Sequence, residues 1–214
     1  MKQGFVKVAA ASCAVAVADV RENTRVILET IHKMEDEGAK VMVLPELALT
    51  GYTCSDLFLQ ETLCRGAEDG LIQILDASKE LDVVTLVGLP VRHNGKLYNC
   101  AAVVCKGQLL GLVPKTYLPN YGEFYEARHF ESGADIYGTV AVGGFEVPFG
   151  ANNLFECKGM PSFTVGAEVC EDLWSYSPPS AGLAAAGATI IVNLSASDEV
   201  ASKADFRRQL VKMQ

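Results

Sequence analysis

Three side chains in this sequence have types and settings that suit covalent chemistry on a carbonyl. The first is Cys170, in the run VGAEVCEDLWSY. It ends an apolar, strand-like segment, precedes a turn, and is flanked by Glu168, Glu171 and Asp172. A nucleophile at such an elbow is presented at the end of a sheet, and the next backbone N–H can face a developing oxyanion. A thiol attacks only as a thiolate, so it needs a base or a positive neighbour. A cysteine without these partners is an ordinary small buried hydrophobe. Histidine is the usual base, and the chain has three: His32 on a surface helix, His93 in a turn and His129 in a long loop. Nothing in the sequence singles one of them out as the partner of a thiol. Carboxylates are therefore considered. Glu46 closes the apolar run KVMVLPE directly after a proline, where partial desolvation suits a carboxylate to shuttle a proton. Lys115 closes LLGLVPK, again directly after a proline, and could hold an oxyanion or a thiolate. Taken singly, Glu46 and Lys115 read as ordinary solvated surface charges. Together they put an acid, a cation and a thiol at three strand ends, where open α/β sheets build their sites.

The elements that must position them follow from periodicity and punctuation. FVKVAAA reads as a first strand, and Asp19 caps a helix to about Gly38 with Val26, Ile27, Ile31 and Met34 on one face. KVMVLPE is a buried strand. Two short helices are expected over about Asp56–Gly66 and Glu68–Leu81, the second with Leu71, Ile74 and Leu75 on one side. VVTLVGLPV, LYNCAAVVC and LLGLVPK form successive hairpins through Asn94-Gly95 and the turn KGQ. Residues 115–135 are aromatic and irregular, and a loop of that length in a compact domain is usually functional. GTVAVGGFEVPFG and NLFEC read as short strands, SFTVGAEVC and ATIIVNLSA as longer ones, and PPSAGLAAAGA as a helix between them. A last helix starts near Ser202. Helices joining parallel strands and hairpins joining antiparallel ones imply an α/β fold of two mixed sheets covered by helices. The final helix leads to no further strand within the sequence, so a partner strand is expected beyond Gln214.

Composition narrows the function classes. The 214 residues are 50% hydrophobic with a net charge of −8 and no Lys/Arg cluster. Nucleic acid and anionic membrane surfaces both require concentrated positive charge, so neither is an expected partner. No apolar run has the ~18–20 residues needed to span a bilayer. The N-terminal stretch is interrupted by Lys7 and reads as a strand rather than a leader. Seven scattered cysteines with no Cys-x-x-Cys pair suit reduced thiols in a cytoplasm, and neither a disulfide framework nor a zinc site is expected.

PELALTGY, PKTYLP and EVCEDLW, in that order, resemble the nitrilase (carbon–nitrogen hydrolase) superfamily. The resemblance implies an α-β-β-α sandwich and assigns Glu46 as general base, Lys115 as the oxyanion lysine and Cys170 as the nucleophile. The long KTYLPNYGEFYEARHF, the CEDLWSYSPPSA segment with no early arginine, and PPSAGLAAAGATIIVNLSAS look like the N-terminal glutaminase domain of bacterial glutamine-dependent NAD+ synthetases. That likeness implies that residues 1–214 hydrolyse the glutamine side-chain amide and pass ammonia to an ATP-using C-terminal synthetase domain, in a homo-oligomer. It implies no cofactor for this domain, since ATP and Mg belong to the synthetase, whose Ser-Gly-Gly-x-Asp-Ser motif is absent here. It also gives Tyr52 a place near the base or substrate, and puts Tyr121 and Phe124 in a covering loop. Glu171 would meet the α-amino group of glutamine, and Ser197 and Lys203 its α-carboxylate. The alternatives are a stand-alone amidase or carbamoylase of the same superfamily and a non-catalytic assembly domain.

Overall fold

The protein was analysed as a computed structural model that describes residues 4–214. In chain order its elements are β1 (Val8–Ala10), α1 (Val20–Asp36), β2 (Val41–Val43), α2 (Glu61–Ala77), β3 (Val84–His93), β4 (Lys96–Cys105), β5 (Gln108–Pro114), β6 (Tyr137–Val142), β7 (Phe145–Gly150), β8 (Leu154–Glu156), β9 (Thr164–Val169), α3 (Pro179–Ala185), β10 (Ile190–Leu194) and α4 (Lys203–Met213). Short 3₁₀ turns cover Ser55–Leu59, Glu126–Arg128 and Cys170–Trp174.

The strands make a seven-stranded sheet in the order β1-β2-β3-β4-β5-β7-β6 and a three-stranded sheet in the order β10-β9-β8. Both are mixed. β1, β2 and β3 are parallel, β3-β4-β5 is an antiparallel meander, and β9 runs parallel to β10 but antiparallel to β8. Two turns set the meander. Asn94-Gly95 and Lys106-Gly107 each adopt two successive positive φ angles, 49° and 76°, then 50° and 72°. This geometry matches the twist of tight hairpins.

α1 and α2 cover the outer face of the large sheet. Ile27, Ile31 and Met34 of α1 and Leu71, Ile74 and Leu75 of α2 pack on Met42, Val87, Leu89, Cys100, Ala102 and Val104. Each of these large side chains gains about 1.5–3 kcal/mol by leaving water. Asp19 caps α1 as expected, its carboxylate accepting the Glu22 N–H. Between the sheets lies a second apolar layer, Val41, Leu86, Ala101, Val103 and Val113 facing Val165, Val169, Val192 and Leu194. α3 packs on the far side of the small sheet, where a Cβ at Gly166 would fall 3.1 Å from Leu183. The chain is thus an α-β-β-α sandwich.

One expected element is corrected. The two short helices expected to meet near Gly66 are a 3₁₀ turn followed by a single helix, α2, that runs through Gly66 and Gly70. Gly66 leaves only ordinary contacts for a side chain, whereas Gly70 marks close packing. A Cβ at Gly70 would fall 2.6 Å from Thr24 Oγ1 and 2.9 Å from Leu49, so the absent side chain lets α2 lie against α1.

Candidate active site

Each of the three groups is delivered by a strand end whose backbone is tightly held. Glu46 follows β2 in a turn whose next residue, Leu47, has φ 50°. That turn rests on Gly88 of β3, where a Cβ would sit 2.3 Å from Leu47 N and 2.5 Å from the Pro45 carbonyl oxygen. Lys115 follows β5. Its N–H donates to the Asn99 carbonyl at 2.8 Å, and its own carbonyl accepts the Gly133 N–H at 2.8 Å. A Cβ at Gly133 would fall 2.5 Å from the Pro114 ring. Cys170 opens the 3₁₀ turn after β9 with φ 46°, a left-handed conformation that costs a non-glycine residue about 1–3 kcal/mol. Glu46 and Lys115 therefore come from the large sheet and Cys170 from the small one. The expected convergence on one sheet edge is in fact a convergence of two sheets.

The side chains meet in a nearly dry cluster. Lys115 is 0% exposed, Glu46 2% and Cys170 7%. Lys115 Nζ donates to Glu46 Oε1 at 2.7 Å and to Glu126 Oε1 at 2.6 Å. Tyr52 O–H donates to the same Glu126 oxygen at 2.7 Å. Asn99 Nδ2 donates to Glu46 Oε1 at 2.7 Å and more distantly to Glu126 Oε2 at 3.5 Å. The Ala196 N–H donates to Glu46 Oε2 at 3.1 Å, and Ser195 Oγ–H to Cys170 Sγ at 3.3 Å. The segment after β10 thus touches both Glu46 and Cys170 through adjacent residues.

Electrostatics follow from burial and neighbours. Burial pushes the Cys170 thiol up to about 12 and Glu46 adds to the rise, while Lys115, the Ser195 hydroxyl and the Ala196 N–H pull it back. Burial disfavours the charged form of Lys115, but Glu46 and Glu126 outweigh it and hold the ammonium charged. Glu126 is raised, first by burial and then by Glu46, with Lys115 and Tyr52 opposing. Tyr52 is raised by burial and then by Glu126.

Asp172 ties two of the strand ends together. Its buried carboxylate accepts the N–H groups of Val169 at 3.0 Å, Thr116 at 3.0 Å and Tyr117 at 2.8 Å. This joins the turn of Cys170 to the chain leaving Lys115. Burial lifts Asp172 to about 7 even with these donors in place. Glu168 accepts from Ser180 N and Asn193 Nδ2, and that same amide nitrogen donates to the Cys170 carbonyl at 3.3 Å.

The remaining sequence-derived residues form a rim. Tyr121 is 59% exposed, and its hydroxyl donates to Glu171 at 2.9 Å. Phe124 packs edge-on between Tyr121 and Tyr52, with ring centroids at 5.8 Å and 6.2 Å. The Ser197 N–H donates to Ser195 Oγ at 3.2 Å. Lys203 is ion-paired with Asp198 and lies 5.4 Å from the Trp174 ring centre. Tyr52 bonds to Glu126 rather than to Glu46. Of the histidines, His129 pairs with Asp56 and His93 with Asn94, and none acts on Cys170. Glu126, Asn99, Ser195 and Asp172 were not among the sequence candidates. Glu126 lies within the aromatic segment that begins at Lys115, and that placement is the one signal that pointed to it.

Among the described residues no His, Cys, Asp and Glu side chains group as a metal site would, and no helix is long and apolar enough to cross a membrane.

The two sheets thus bring a buried thiol at a strained elbow together with a lysine clamped by two carboxylates. The family model described as carbon-nitrogen hydrolase matches residues 7–213, and the chain belongs to that family. The curated relatives it matches include glutamine-dependent NAD(+) synthetases. The one from Mycobacterium tuberculosis is 41% identical over 99% of this chain, and the one from Aquifex aeolicus 33% over 92%. The chain spans 31% of the length of either. Among solved structures, a glutamine-dependent NAD(+) synthetase from Cytophaga hutchinsonii superposes with TM-score 0.84 at 30% identity, over 96% of this chain and 33% of that one. An amidase from a Nesterenkonia species shares the fold, with TM-score 0.71 at 17% identity over 95% of this chain and 70% of that one.

Proposed function

We propose that this chain is a glutaminase whose ammonia serves an ATP-dependent synthetase domain that amidates nicotinic acid adenine dinucleotide. One observation carries the reading: Lys115 is held between Glu46 and Glu126 beside Cys170. The likeness to glutamine-dependent NAD(+) synthetases supports the choice of substrate. In this reading residues 1–214 belong to a nitrilase-like domain that works in the cytoplasm, in a homo-oligomer, without a cofactor of its own.

The chemistry follows from the charge states. With its thiol pushed to about 12, Cys170 is protonated at neutral pH, so attack and deprotonation proceed together. Glu46 takes the thiol proton as Sγ bonds to the side-chain carbonyl carbon of glutamine. Lys115 spends two of its three N–H donors on carboxylates and keeps the third for the oxyanion, alongside the Glu171 N–H. Protonated Glu46 then gives its proton to the departing ammonia, leaving a thioester. Water, deprotonated by Glu46, releases glutamate and restores the thiol. On the rim, Glu171 takes the substrate α-amino group, and Ser197 and Lys203 its α-carboxylate. For this, Tyr121 must release Glu171 and Asp198 must release Lys203.

The test uses the full gene product. A diazoketone analogue of glutamine is expected to label Cys170 alone among the seven cysteines. Cys170→Ala is expected to abolish NAD formation from glutamine and spare formation from free ammonia. Labelling spread over several cysteines, or unchanged glutamine use by Cys170→Ala, overturns the reading.

A further inference from the structure

Asn99 lies inside β4, 0% exposed, in a strand that is buried and otherwise apolar from Leu97 to Val104. Its side-chain oxygen Oδ1 is buried with no hydrogen-bond partner. An orphaned buried carbonyl is a penalty that strand centres avoid, so the other end of the amide has to compensate for it. That end is Nδ2, aimed at Glu46 Oε1 and, at longer range, Glu126 Oε2. Turning the amide over would bring Oδ1 against a carboxylate oxygen, so the two acids fix its orientation.

The consequence is an unequal Glu46. Oε1 is saturated by Asn99 and Lys115, both at 2.7 Å, whereas Oε2 has only the Ala196 N–H at 3.1 Å. That same N–H also acts on the Cys170 thiol, which places Oε2 and Sγ in one backbone corner. We propose that Asn99 is a positioning residue: it locks Glu46 by Oε1 so that Oε2 is the oxygen that takes the Cys170 proton, and it helps two carboxylates share the single cation Lys115. The charged and titratable groups around Glu46 are Lys115 from the end of β5, Glu126 from its 3₁₀ turn with Tyr52 behind it, and Cys170 from the end of β9. Asn99 is the neutral donor that reaches both acids. The inference rests on the proposed hydrolytic role of Cys170 and Glu46.

Asn99→Leu removes both the donor and the orphaned oxygen at nearly constant shape, and Asn99→Ser is a milder truncation. Both are read in the full gene product by glutamine hydrolysis against pH and by the rate at which chloroacetamide alkylates Cys170, followed by mass spectrometry. With the fold retained by circular dichroism, kcat should fall about 10–100-fold in Asn99→Leu, because part of the general-base contribution is lost. KM should stay within about threefold. The acidic limb of kcat/KM should move to higher pH, because removing an N–H from a carboxylate favours its protonated form. The alkylation profile should move the same way. A folded variant with the wild-type acid limb in both assays overturns the proposal, as does a loss confined to KM. If the leucine variant does not fold, Asn99→Ser decides, and failure of both to fold marks Asn99 as structural and also overturns it. If the protein does not act on glutamine but the alkylation limb moves, the substrate reading fails while the role of Asn99 stands.

Discussion

At the scale of single residues, the cluster separates two effects that mutation usually mixes. Glu46→Gln removes the base but leaves Lys115 paired with Glu126. Turnover should drop by about 10²–10⁴, the usual worth of a positioned base, with urea unfolding little changed. Lys115→Met is the opposite case. It strands two carboxylates that are 2% and 4% exposed without their cation. Breaking a buried ion pair from one side costs about 3–5 kcal/mol, so the urea midpoint should fall along with activity. The Cys170 thiol gives the pH prediction. A thiol raised to about 12 is almost wholly protonated at pH 7–9, and its ionised fraction keeps growing as pH rises. Its modification by a small disulfide reagent should therefore keep climbing beyond about pH 10 without a plateau. Levelling off near about pH 10, where a thiol of ordinary pKa is almost fully ionised, would show an unperturbed, solvated thiol.

At the scale of elements, two glycines seat the strand ends that carry the acid and the cation. A methyl at Gly88 would strike the backbone of Pro45 and Leu47, which cannot swing aside as a side chain could. Gly88→Ala should thus displace Glu46, cutting turnover steeply and lowering stability by about 1–3 kcal/mol. Gly182 in α3 is the control. Nothing lies within 4 Å of its added Cβ, so Gly182→Ala should raise stability by about 0.5–1 kcal/mol and leave activity alone. Both changes are measurable by urea unfolding and a single turnover assay. These glycines also show what sequence can convey. A helix boundary was expected at Gly66 and did not form, and nothing in the sequence marked Gly70, because sequence reveals a glycine's freedom but not the neighbouring helix it admits. Glu46, Lys115 and Cys170 were legible because each closes an apolar run at a turn. Glu126 sits in an aperiodic aromatic loop, and Asn99 lies within a continuous buried strand. Their roles exist only once distant strands are side by side.

At the scale of the whole molecule, the sandwich was legible from alternating strands, hairpin turns and amphipathic helices, but its division into sheets was not. Nothing local tells β9 that it pairs with β10 and β8 rather than extending the large sheet. That division matters for the chemistry. The acid and the cation ride on one sheet and the sulfur on the other, and the apolar layer between Val41, Leu86, Val103 and Val165, Val169, Val192 is what brings them into register. A half-assembled chain would hold a proton acceptor with nothing to activate, or a thiol with no acceptor. Under the proposed mechanism, hydrolysis would begin only once the two sheets dock and bring Glu46 and Lys115 up to Cys170.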